Sequence, residues 1–210
     1  MCGAGNLDDL LFIIYYLLFF RMMRLEFTER QQTLTICKGG RQALVLLGES
    51  EEKREQESLD GEKTEVTVFT YDATWLDLTK QHDPVAAARE EVLKNIEAYD
   101  TSSAVNGFVL NGAVVWLDKA TRVGLMNSTT IAKAMGQATT TLWLGDTKLE
   151  VGCDMAIQLL SSLEMYALEC FNVTAAHKKA VAELTDIGEV LSYDYTKGYP
   201  EKLMINLNEE

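Results

Sequence analysis

The segment Tyr99–Ser128, YDTSSAVNGFVLNGAVVWLDKATRVGLMNS, carries two Asn-Gly pairs five residues apart, with a tryptophan close behind the second. FVLNGAVVW is two short apolar runs about Asn111-Gly112. An Asn-Gly pair is the strongest short-range signal for a two-residue type I′ hairpin turn, because both central positions take positive φ. Asn106-Gly107 reads differently. It stands at the entry to the first run, where a glycine permits a bulge or a close backbone approach. Behind Trp116, Asp118 can cap a helix that ends at Gly136, with Gly124 and Asn127 as its weak points.

The plan recurs downstream. TTTLWLGDTKLEVG turns at Gly145-Asp146, with Trp143 in its first strand and a helix from about Asp154. The two turns share little residue identity, so a hairpin-helix plan is repeated and a sequence is not. Between Gly152 and Gly188 there is neither Gly nor Pro. Across it Leu159, Leu163, Tyr166, Cys170, Val173, His177, Ala180, Leu184 and Ile187 recur at alternating spacings of four and three. Such a heptad stripe suits one helix of roughly 50 Å packed in a coiled-coil manner. Two helices broken near NVTAAH, with Asn172 or Thr174 as the second N-cap, fit the same pattern. Either way the stripe is core or a homotypic interface.

Upstream, His82-Asp83-Pro84 is a break and a helix start, and VAAAREEVLKNIEAYD follows as an amphipathic helix. This places a domain boundary near residues 78 to 83. Before it, from Arg24 to Leu47 and again over EVTVFTYDATWL, apolar and polar residues alternate as in strands, with ERQQ as a turn between the first two. About three antiparallel strands would make a small sheet over 23–78. The acidic stretch ESEEKREQESLDGEKTE, Glu49 to Glu65, reads as a solvated loop within it. The expected fold class is therefore α+β: a small antiparallel N-terminal sheet, then a helix-hairpin-helix-hairpin-long-helix domain over 79–210.

Residues 1–22 stand apart. LLFIIYYLLFF, Leu10 to Phe20, is too short to span a bilayer, and its flanking charges, Asp8 and Asp9 before and Arg21 and Arg24 after, are wrong for a signal peptide. Three readings stay open: a start assigned too early, with translation beginning at Met22 or Met23, a packed helix, or a membrane anchor. The expectation is a protein not secreted by a signal peptide.

With 210 residues, 47% of them hydrophobic, the chain can bury a sizeable core, and disorder throughout is excluded. A net charge of -13 repels phosphate backbones and argues against non-specific nucleic-acid binding. The four cysteines, Cys2, Cys37, Cys153 and Cys170, are far apart without a C-x-x-C, so neither a zinc ribbon nor a redox motif is present. Phosphate-binding, zincin, nucleophile-elbow and EF-hand patterns are absent from the sequence. His177 shares a helix face with Cys170, which would allow a metal pair or an activated thiolate, but no further ligand or base is indicated, and a satisfied core histidine is the plainer reading. His82 reads as a loop residue. No catalytic residue, cofactor or metal is expected.

Trp75, Trp116 and Trp143 each end or occupy a strand. Core packing is the ordinary role of such indoles, and a ligand surface at Trp116 and Trp143 for a glycan or small molecule is the alternative. The closing SYDYTKGYPEKL reads as an ordered tail docking on the domain.

The succession IEAYDTS, VNGFVLNGAVVWLDKATRVGL, TTTLWLG, LEMYALECFNVTAAHKKAV and YDYTKGYPEKL resembles a family of phage and prophage tail-associated proteins that carry a domain of unknown function. The resemblance runs from about Trp75 to Leu203 and lies in the order of short motifs. It implies a non-enzymatic structural or adaptor protein of the tail, baseplate or fibre region, with other tail proteins or itself as partner. A tail-fibre assembly chaperone is the nearby alternative. The host cytoplasm during assembly, and then the virion, would be its location. The resemblance carries over no catalytic residues.

Overall fold

The computed structural model describes residues 23–37, 39–57 and 61–207. They fall into two compact units divided between Ala88 and Arg89. The division lies within helix α1 (Pro84–Asp100), so the helix placed wholly in the second domain by sequence begins in the first unit. The apolar run Leu10 to Phe20 and all readings of it lie outside the described residues. The architecture is mixed α+β, with an antiparallel sheet at the N-terminal side and five helices among the described residues.

The first unit is a four-stranded antiparallel sheet in the order β1-β4-β3-β2. Strands β1 (Met23–Phe27) and β2 (Leu34–Ile36) are short, whereas β3 (Gln42–Glu57) and β4 (Lys63–Asp77) are long. Residues read as a turn between β1 and β2 instead cross from one sheet edge to the other over the β3–β4 pair. Gln31 N donates to Tyr71 Oη at 3.0 Å, and the Arg30 guanidinium pairs with Glu49 and lies over the Phe69 ring. Leu46, Tyr71 and Ala73 form the core beneath, with Leu25, Phe27, Leu44 and Phe69 against it.

Glu49 to Glu65 is not a solvated loop. Within it residues 49–57 and 63–65 are strand, paired from Ser50↔Thr70 to Glu57↔Lys63. Its described side chains are exposed, so no apolar face marks it in the sequence; opposite charges supply the cross-strand pairs instead. Glu55 stands directly opposite Glu65, an unfavourable like-charge pair, and the diagonal contacts Lys53–Glu65 and Lys63–Glu55 offset it. Arg54 adds a two-pronged contact to Glu26 at 2.9 and 3.0 Å. A bulge between Leu47 and Ser50, with Gly48 at φ 62, separates this charged ribbon from the apolar base of the hairpin.

Helix α1 starts in the first unit at Asp83, whose Oδ1 accepts from Val85 N, with Pro84 as its first residue, and its later turns belong to the second unit. A one-turn helix α2 (Ser103–Asn106) follows, capped by Ser102. Gly107 then enters strand β5 (Phe108–Leu110), and a Cβ there would lie 2.3 Å from Ser103 O. Asn111 (φ 48) and Gly112 (φ 85) make the turn to β6 (Ala113–Val115). Helix α3 (Lys119–Ala134) is capped by Asp118 and runs through Gly124 and Asn127 without interruption. Strands β7 (Thr139–Leu144) and β8 (Thr147–Gly152) pair antiparallel about Gly145 and lead into α4 (Cys153–Glu183). A short helix α5 (Ile187–Leu191) and strand β9 (Met204–Ile205) close the unit, β9 pairing parallel with β5.

The core of this unit is the inner faces of both strand pairs, Phe108, Leu110, Val115, Leu142 and Leu144, laid against Ala156, Leu159, Leu160 and Leu163 of α4. Arg122 ties α3 to the same helix: its Nε donates to Glu164 at 2.9 Å and its Nη1 to Leu117 O at 2.7 Å. Buried on one side and partnered on the other, this guanidinium fixes where the chain leaves β6.

Candidate interaction surfaces

Helix α4 is continuous for 31 residues, about 46 Å at 1.5 Å per residue. It stops short of the end of the heptad stripe. Leu184 takes an extended conformation as C-cap, and Asp186 caps α5 by accepting from Glu189 N at 2.9 Å, so Ile187 belongs to a separate helix. A stripe continued by composition is broken here by the local capping preference of Asp186.

The stripe faces the unit's own interior. Leu159 and Leu163 sit in the main core. Tyr166 and Cys170 are buried with Val105, and the Tyr166 hydroxyl donates to Val105 O at 2.8 Å. Val173, His177 and Leu184 are half-buried, and Ile187 is buried. From Leu159 to His177 this side of the helix is covered by chain from β5, α2 and the C-terminal tail, through contacts the spacing could not reveal.

His177 uses both ring nitrogens. Nε2 lies 2.8 Å from Lys197 O, a carbonyl that only accepts, so Nε2 carries a proton and donates. In the neutral ring Nδ1 then accepts from the Tyr193 hydroxyl, also at 2.8 Å. The ring packs against Tyr193 and Tyr199, and the Tyr199 hydroxyl meets Thr174 Oγ1, which itself donates to Asp100 at 2.6 Å. Tyr99 stands edge-on to both Tyr195 and Tyr199. This cluster pins the closing segment to α1 and α4. Cys170 has different partners: its thiol points to Val105 O at 3.5 Å, and burial pushes its pKa up, with Asp100 and Glu169 adding to the rise. The Cys170 thiol and the His177 ring thus have separate hydrogen-bond partners. Among the described residues no three potential ligands gather to hold a metal ion.

The three indoles are exposed: Trp75 by 48%, Trp116 by 42% and Trp143 by 56%. Trp143 points outward because β7 alternates, Leu142 and Leu144 turning to the core and Thr141 and Trp143 to solvent. Its cross-strand neighbour is Lys148. Two positions before Trp116, Val114 is also exposed and pairs in register with Val109, itself opposite Met204 on β9. All three indoles are thus exposed and none is packed in the core.

The outward side of α4 holds a second apolar row that the stripe reading passed over. Met165, Leu168 and Phe171 recur every three residues and are 57%, 48% and 60% exposed. The signal was present in the sequence, but the stronger heptad on the opposite side masks it. Met165 also borders an open groove of about 430 Å³ between α4 and the closing segment, walled by Tyr166, Pro200 and Leu203, with Glu169 and Glu201 at its sides. Among the described residues no helix is long and apolar enough to cross a membrane.

Comparison with family models, with curated proteins and with solved structures gives no match.

Proposed function

We propose that this chain is a non-enzymatic adaptor or structural protein that works by binding another protein through its surface, in a phage or prophage tail. The observation that carries the adaptor reading is the row Met165, Leu168 and Phe171, exposed on a helix whose opposite side is already occupied by its own core. Three large apolar residues spread over the outward third of a helix form the kind of patch that marks a protein interface. The helix-hairpin-helix-hairpin-long-helix plan, the acidic surface and the order of motifs from IEAYDTS to YDYTKGYPEKL support the tail context. The inward stripe, Leu159 to Ile187, serves the fold in this reading, and a fibre-like trimer through it would require the core to open.

Co-expression with the proteins encoded by its flanking genes tests the proposal. Co-elution as a stoichiometric complex with a tail protein is expected. A chain that elutes alone beside tail neighbours, or that lies among metabolic genes, contradicts it. A transient partner, released before the particle matures, would instead mark the assembly chaperone.

The exposed indoles favour a second reading, a glycan or small-molecule module using Trp116 and Trp143. Protection of indole fluorescence from acrylamide by added oligosaccharide would establish it, and unchanged quenching across a sugar panel would remove it.

A further inference from the structure

The groove beside α4 combines an apolar floor with carboxylates that the fold leaves uncompensated. Met165, Tyr166 and Leu203 line it, and Glu169 and Glu201 stand at its sides. Neither carboxylate has an ion-pair partner among the described residues, although most acidic groups of the β3–β4 ribbon do. Lys202, next in sequence to Glu201, is directed to Ser103 O. The serine hydroxyls of the lining are spent within the helix, Ser161 on Ile157 O and Ser162 on Gln158 O. What such a groove offers is a slot for an aliphatic stem ending in a cation.

We propose that this groove receives a lysine or arginine side chain from a basic peptide segment of a partner protein, whose neighbouring apolar residue lies on Met165 and its helical neighbour Leu168. The charge complementarity selects the cation, and the continuity of the groove with the apolar row through Met165 selects a peptide over a free amine. A polyamine would engage the two carboxylates and gain nothing from Leu168. The inference rests on the adaptor reading and gives its partner a chemistry.

The test is fluorescence anisotropy of the full chain with a labelled peptide of alternating lysine and leucine, beside a matched peptide of alternating glutamate and leucine. Salt-dependent binding of the first alone is expected. The double variant Glu169→Gln/Glu201→Gln should weaken it about tenfold, and Leu168→Ser comparably. A charge-matched control, Glu57→Gln/Glu62→Gln, should not change it, which separates the groove from the general field of an acidic protein. Absence of binding, equal weakening by the control, or displacement by spermidine with Leu168→Ser neutral would each overturn the proposal. Co-elution with a tail protein that persists in Glu169→Gln/Glu201→Gln would overturn the groove and leave the adaptor reading standing.

Discussion

Leu163→Ala and Leu168→Ala remove the same atoms from one helix on opposite sides, and the fold makes their consequences differ. Leu163 is 2% exposed within the cluster of Phe108, Leu142 and Leu160. Truncating it forfeits the transfer free energy of the lost carbons and leaves a cavity that the surrounding strands fill only in part, a cost of about 3 kcal/mol. Leu168 is 48% exposed, and its truncation should change stability by less than about 0.5 kcal/mol. In a chain of this size about 1 kcal/mol moves the melting midpoint by about 2–4 °C. Leu163→Ala should therefore lower the melting midpoint by about 6–12 °C, and Leu168→Ala by no more than about 2 °C. Calorimetry paired with near-ultraviolet circular dichroism reads both. Equal losses, or a larger loss at Leu168, would refute the assignment of inward and outward sides on which the binding proposals stand.

Three other outcomes follow from local geometry. Gly107→Ala should cost about 2 kcal/mol, since its Cβ would be driven against the Ser103 carbonyl oxygen, and unchanged urea unfolding would show the approach is looser. Burial raises Tyr166, Tyr199 and Cys170 above their ordinary values, so the folded state holds protons the unfolded chain gives up; stability is full below the unfolded pKa values and falls as pH rises past about 9 to 10. The urea midpoint should drop across that window, less steeply in Tyr166→Phe, and a flat profile would contradict the burial. Among Cys37, Cys153 and Cys170, a thiol reagent should modify half-buried Cys37 first and the two buried thiols only on unfolding, as peptide mapping by mass spectrometry would show.

The parts of the fold that were legible are those written in local chemistry. Asn111-Gly112 adopts positive φ at both positions, Asp118 caps α3, and Leu142 and Leu144 alternate inward as a half-buried strand must. The charged ribbon was not legible, because its pairing depends on ion pairs such as Arg54–Glu26 between residues far apart in sequence, and charge alternation without an apolar face resembles solvated coil. Strand β9 is two residues long and exists only through β5, so nothing local announces it. For the surfaces the same asymmetry holds. The spacing of Leu159, Leu163, Tyr166 and Cys170 marked a buried face, yet not that α2 and the tyrosine-rich tail cover it. The exposure of Trp116 and Trp143, and the groove between α4 and Pro200, arise from packing of elements that the sequence shows only one at a time.

The most direct test of the central claim is recovery of the protein with purified tail particles, comparing the native chain with Leu168→Asp/Phe171→Asp by quantitative mass spectrometry. Both positions are exposed, so the variant should fold with an unchanged melting midpoint. The native chain is expected in the particles or their assembly intermediates, and the variant is expected to be lost from them. A native chain absent from both, or a variant retained in equal amount, would contradict the account.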